Sequence, residues 1–143
     1  MGTVNALTGI GLTGYSAAKG GLHPLCNLVA TQYGRHGVRA NVISPGTIET
    51  ENRQQELDES EQSGGGDGEN EERTAHEEWI DQYPLGRFGR PDEVAEAALF
   101  LSSEHSSFVS GTDLVVDEGL TAGLDQGFQK RIYETDDGPT RGD

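Results

Sequence analysis

In the stretch GYSAAKGGLHPLCNLVATQYG (14–34), apolar residues recur at Ala18, Leu22, Leu25, Val29 and Tyr33. Steps of three and four put them on one stripe, which predicts a helix ended by Gly34. Pro24 interrupts the pattern: it removes a backbone donor and crowds the carbonyl of Gly20. A kink is expected there, one that Gly20 and Gly21 tolerate. Beyond it the period changes to two. Val38, Ala40 and Val42 alternate with Arg39 and Asn41, so VRANVISP (38–45) reads as a strand closed by Pro45-Gly46.

Residues 51–73 contain SGGGDGENEE and are too polar and glycine-rich to build a core, so a loop is predicted. AHEEWIDQY (75–83) reads as a short helix that lays Trp79, Ile80 and Tyr83 on something apolar and stops at Pro84. RPDEVAEAALFLSS (90–103) predicts a longer helix. Pro91 suits its first position, and Asp92 and Glu93 sit in the first turn, where the helix dipole favours negative charge. Val94, Ala97, Ala98 and Leu101 form its buried face. TDLVVDEG (112–119) is a second strand closed by glycine, and the tail 124–143 is expected to fray.

Helix, strand, long excursion, helix, strand is the order of a parallel, right-handed βαβ unit. The fold class is α/β. Two parallel strands alone leave an inner edge unpaired, and parallel sheets are normally covered on both faces. The pattern therefore reads as part of a larger doubly wound fold.

Charge narrows the partners. Twenty-five acidic residues face ten basic ones, for a net charge of −15. Such a surface repels nucleic acid and anionic membrane. Twelve of the acids fall within residues 49–78, so the excess is partly local. It reads as a solvated surface or as adaptation to high salt, where screening removes self-repulsion. No apolar run is long enough to span a membrane, and the N-terminus lacks the pattern of a secretory signal. One cysteine, Cys26, excludes an internal disulfide, and no His/Cys cluster has metal spacing, so no metal is expected. The expected compartment is the cytoplasm.

Tyr15 and Lys19 carry the sharpest chemistry. Positions i and i+4 share a helix face. An ammonium near a phenol favours the phenolate, which suits tyrosine to exchanging a proton with a carbonyl or alcohol oxygen. Taken alone, the pair reads sooner as an aromatic and a solvated lysine on one helix. His23, His36, His76 and His105 have no ligand spacing and read as surface or turn residues. Cys26, among apolar residues, reads as a buried small hydrophobe.

Four blocks, in order, widen the reading: YSAAK (15–19), RANVISPGTIET (39–50), PLGRFGRPDEVAEAALFLSSEHSSFVSG (84–111) and TDLVVDEGLTAG (112–123). Together they resemble the C-terminal half of the short-chain dehydrogenase/reductase family, in the look of its 3-oxoacyl reductase and glucose dehydrogenase-like branch. The resemblance covers residues 3 to about 123. It implies a partial doubly wound Rossmann-type fold: catalytic helix, two parallel strands, lid and crossover helix. Residues 1–123 would then be the C-terminal part of the domain, with 46–90 as substrate lid and 51–73 as its acidic insert.

The resemblance also implies roles. Tyr15 matches the catalytic acid/base, and Lys19 the lysine that holds the nicotinamide ribose and tunes the tyrosine. Pro45, Gly46 and Thr50 match the turn beside the nicotinamide, with Ile48 meeting the carboxamide through its backbone. Thr3 stands nearest to the family's catalytic serine, or else belongs to a disordered N-terminus. The family's relay asparagine has no counterpart. TGIGLTG (8–14) has the spacing GxGxxG, but no predicted strand precedes it, and it reads as the loop before the catalytic helix.

The implied function is hydride transfer between NAD or NADP and a small alcohol or ketone, in a homo-oligomer or beside a missing N-terminal half. The alternative is an inactive truncated fragment or association module. A third reading, an acidic interaction protein, leaves the ordered motifs unexplained.

Overall fold

The computed structural model describes residues 1–8, 13–50 and 75–123. The predicted first helix is divided. A single turn, α1 (Asn5–Thr8), precedes α2 (Thr13–Gly20) and α3 (Leu22–Tyr33). The break at Gly21 is the effect of Pro24 one turn later, since proline has no N–H for the carbonyl of Gly20. Counted from Leu22, Pro24 lies in the first turn of α3, where a missing donor is harmless.

β1 (Val42–Pro45) and β2 (Asp113–Val116) run parallel, with Val42 opposite Asp113 and Pro45 opposite Val116. The strand predicted from residue 38 begins only at Val42. The residues before it spend their polar groups on the chain that leads into β2. Arg39 donates to the carbonyls of Leu101, Val109 and Ser103 at 2.9, 3.2 and 3.2 Å. Asn41 donates to Val109 and accepts from the Thr112 amide.

The inner edge of β1, expected to be unpaired, is partly taken. The amides of Gly2 and Val4 donate to the carbonyls of Ile43 and Pro45 at 2.7 and 3.2 Å. Two-residue steps in the same direction on both chains make residues 2–4 a short parallel neighbour of β1. They are buried, so this part of the N-terminus is ordered against the sheet.

α4 (Ala75–Ile80) is shorter than its pattern predicts, and the buried aromatic, Tyr83, lies beyond its end. Tyr83 and Phe88 pack edge to face with centroids 5.3 Å apart, and Trp79 meets Phe88 from another side at 6.2 Å. α5 (Pro91–Ser102) starts as predicted, with Pro91 in its first turn. The amide of Arg90 donates to Glu93 Oε2 at 2.8 Å, closing the first turn. Val94 is buried, and Ala97, Ala98 and Leu101 are half-buried on the same face. The acidic segment 51–73 and the tail 124–143 lie outside the described residues.

Candidate active site

Tyr15 projects from α2 with 45% of its surface exposed. The Lys19 ammonium lies 5.7 Å from the Tyr15 ring centroid, on the face of the ring. It also donates to the carbonyl of Met1 at 3.2 Å. One lysine therefore joins the tyrosine to the N-terminal segment that lies along β1. Two residues on in that segment is Thr3, buried with 8% exposure. Its hydroxyl oxygen accepts from the Asn5 amide at 3.3 Å, which leaves the hydroxyl proton free to be donated elsewhere.

The carboxyl end of β1 continues the site. Val4, next to Thr3, binds the carbonyl of Pro45, and the Gly46 amide donates to Val116 at 3.0 Å. Gly46 sits where a side chain would crowd its neighbours. A Cβ there would stand 3.1 Å from both Cα and Cβ of Asp117, and 3.4 Å from the Tyr83 ring. The Thr47 amide donates to the Tyr83 hydroxyl at 2.9 Å. Ile48 then forms a parallel bridge with Gly89, flanked by Gly89 N to Thr47 O at 3.0 Å and Glu49 N to Gly89 O at 2.8 Å. Among the described residues the amide and carbonyl of Ile48 itself make no hydrogen bond. Thr50 is exposed at the last described position before residue 51.

The two ends of the expected lid are thus stitched together. Tyr83 and Gly89 do this work; the sequence reading gave Tyr83 only an apolar contact and Gly89 no role. The signal for Gly89 was present in the PLGRFGRPDE block, as a glycine at a close approach: a Cβ there would meet Ile48 Cδ1 at 2.8 Å. Arg87 was missed as well. Its Nη1 and Nη2 reach Glu93 Oε2 and Oε1 at 3.0 and 2.7 Å, a two-pronged pair at the foot of α5. With the Arg90 amide adding to it, the Arg87 pair holds the Glu93 carboxyl down at about 2.

His23 corrects another expectation. It is not a plain surface residue: its Nδ1 lies 3.4 Å from Asp113 Oδ2, while Ser44, fully buried, donates to Asp113 Oδ1 at 2.8 Å. Cys26 is buried as expected, and that burial, reinforced by the Asp113 carboxylate, pushes its thiol up. Gly9 and Gly11 of the TGIGLTG loop lie outside the described residues, as does the side chain of His76. Among the described residues no His/Cys/Asp/Glu group has metal-binding geometry, and no helix is long and apolar enough to cross a membrane.

The enoyl-(acyl carrier protein) reductase family model matches residues 3–121, most of the chain. The chain belongs to the short-chain dehydrogenase/reductase family. It is 44% identical over 110 residues to the uncharacterized oxidoreductase YxbG of Bacillus subtilis, covering 77% of this chain and 38% of the relative. A solved oxidoreductase of the family from Burkholderia thailandensis superposes with a TM-score of 0.77 at 37% identity, over 92% of this chain and 46% of that one. A gluconate 5-dehydrogenase from Burkholderia cenocepacia, solved in complex with NADP and tartrate, superposes at 0.68 and 30% identity, over 86% of this chain and 44% of that one. The chain therefore spans less than half the length of each of the three. The fold is the α/β, Rossmann-type fold of these dehydrogenases, represented by its second half.

Proposed function

We propose that the chain is the reaction half of an NAD(P)-dependent oxidoreductase that interconverts a small alcohol and its ketone. One observation carries this reading: the Lys19 ammonium contacts both the Tyr15 ring and the Met1 carbonyl of the segment that bears Thr3. The helix thereby meets the N-terminal segment that runs along β1 towards Pro45 and Gly46, at the carboxyl end of the strand, where open α/β sheets bind ligands.

The residues suit a nicotinamide ribose. Lys19 supplies donors for ribose hydroxyls, the Ile48 amide, which has no partner among the described residues, suits a carboxamide, and Pro45-Gly46 lies beside it. The bound nucleotide supplies the hydride acceptor or donor. The chain's own residues handle the proton. In oxidation, the Tyr15 phenolate takes the hydroxyl proton as the carbinol carbon gives up its hydride, and the C–O bond becomes a carbonyl. In reduction, the phenol returns that proton to the oxygen. The Thr3 hydroxyl, free to donate, would hold the same oxygen, and Thr50 would close the turn over the nucleotide.

Candidate substrates are a sugar, a sugar acid or a 3-oxoacyl thioester, and the gluconate 5-dehydrogenase likeness favours the polyhydroxylated class. The cytoplasm fits such a substrate. A homo-oligomer, or a partner supplying the adenosine-binding half, suits the exposed Leu25 and Leu28 of α3.

Titration calorimetry of the purified chain with NADH and NADPH, at low and at molar salt, tests the reading. Saturable binding, followed by a Tyr15→Phe variant that binds nucleotide but turns over about 100- to 10,000-fold more slowly, is the expected result. A second reading, an inactive fragment or association module, is favoured by the chain's short span relative to its relatives. Absence of binding at both salt concentrations would select it.

A further inference from the structure

Behind the Ile48–Gly89 bridge lies a cavity of about 140 Å³, lined by Ile48, Tyr83, Leu85 and Val116 on its apolar side. Its polar side is Arg87, Glu93, Asp117 and Glu118, three carboxylates against one guanidinium. Two of those carboxylates are spoken for. Glu93 holds the two-pronged bond with Arg87. Asp117 accepts from the amides of Gly119 and Thr121 and from the Thr121 hydroxyl, at 2.9, 2.8 and 2.7 Å.

Glu118 differs from both. Its side chain is only 10% exposed, and among the described residues no hydrogen bond reaches either carboxylate oxygen. Arg87 Nη1 stands 3.0 Å from its Oε1. That nitrogen carries two hydrogens, and both are spent, on the Phe88 carbonyl at 2.9 Å and on Glu93 Oε2 at 3.0 Å. The contact therefore supplies charge without a donor. The backbone also holds Glu118 at φ 58°, the left-handed region that non-glycine residues rarely adopt. A buried carboxylate without a donor is expensive, and strain of this kind persists where the surroundings use it.

We propose that this cavity binds a small primary ammonium, with Glu118 accepting its hydrogens and the apolar wall taking a short alkyl chain. The volume holds roughly four or five atoms of water size. The excess of carboxylates rejects anions, and the vacant acceptor asks for a donor. An ammonium supplies three donors and the missing positive charge, whereas a neutral hydroxyl supplies one donor and none of the charge. The site is separate from the roles assigned to Tyr15 and Lys19.

Titration of the full chain with n-butylammonium chloride at fixed ionic strength tests it, with sodium butyrate, 1-butanol and potassium chloride as parallel arms. Saturable one-site binding of the ammonium alone is expected, weakened at least tenfold in Glu118→Gln. Glu118→Gly, which suits the backbone at φ 58°, guards against a misfolded glutamine variant and should lose binding equally. Equal response to butanol, butyrate or potassium, undiminished binding in either variant, or no saturable heat would overturn the proposal.

Discussion

The Tyr83 hydroxyl accepts a hydrogen bond from the Thr47 amide at 2.9 Å, across 36 residues of chain. It ties the turn after β1 to the segment that enters α5, and Tyr83 is among the most buried residues described. Tyr83→Phe keeps the ring against Phe88 and removes only the acceptor. A half-buried amide left without a partner costs about 1–3 kcal/mol. Urea unfolding of the variant should show that loss with an unchanged slope. Unchanged stability would mean that the bond does not hold the turn.

Gly46 makes the complementary case. Alanine there would press its Cβ onto the Asp117 backbone at 3.1 Å, and backbone cannot swing aside as a flexible side chain does. Overpacking of this kind costs about 1–3 kcal/mol. Gly14, in α2, has nothing within 4 Å of an added Cβ. Gly14→Ala should instead stabilise by about 0.5–1 kcal/mol through helix propensity. Thermal unfolding of the two variants side by side should move in opposite directions.

These two glycines mark how far the sequence could be read. Local periodicity placed α5, which is amphipathic and carries its own start residues, and it found the Tyr15–Lys19 helix but ran it on to Gly34 through the break at Gly21. It overran β1 by four residues, since Arg39 and Asn41 alternate like strand residues while their side chains bind carbonyls 60 to 70 positions away. Such long-range bonds leave no local trace. The edge pairing of residues 2–4 escaped notice for the same reason. Three residues are too few to show a period, and only β1 beside them gives them a direction. In the candidate site, Tyr15, Lys19, Pro45 and Gly46 were legible as motif positions. Tyr83 was legible only as an apolar anchor, Glu93 only as a first-turn acid and Arg87 not at all, because their bonds run to backbone or to each other across the segment.

Glu93 predicts a pH dependence. Its carboxyl is lowered from 4.5 to about 2, first by the hydrogen bonds from Arg87 and then by the Arg90 amide. A depressed carboxyl contributes stability that is fully present above its unfolded value and is lost as pH falls through its folded one. The stability difference between the native chain and Glu93→Gln should therefore be flat from neutrality down to about pH 5 and fade as pH approaches 2. A difference that stays constant throughout would show that the Arg87–Glu93 pair does not act through charge.

The acidic balance sets the last expectation. With 25 acids against ten basic residues, repulsion between like charges outweighs attraction between unlike ones. Raising salt from about 0.01 to about 1 M shortens the screening length from roughly 30 to 3 Å. The repulsion should fall faster than the hydrogen-bonded Arg87–Glu93 pair weakens, because close, oriented pairs are screened least. The unfolding midpoint in potassium chloride should then rise by several degrees, about what 1 kcal/mol gives in a chain of this size. An uncharged osmolyte matched in water activity is the control. If it raises the midpoint as much as the salt does, the acidic surface is a solvated face and no adaptation to high salt is needed to explain it.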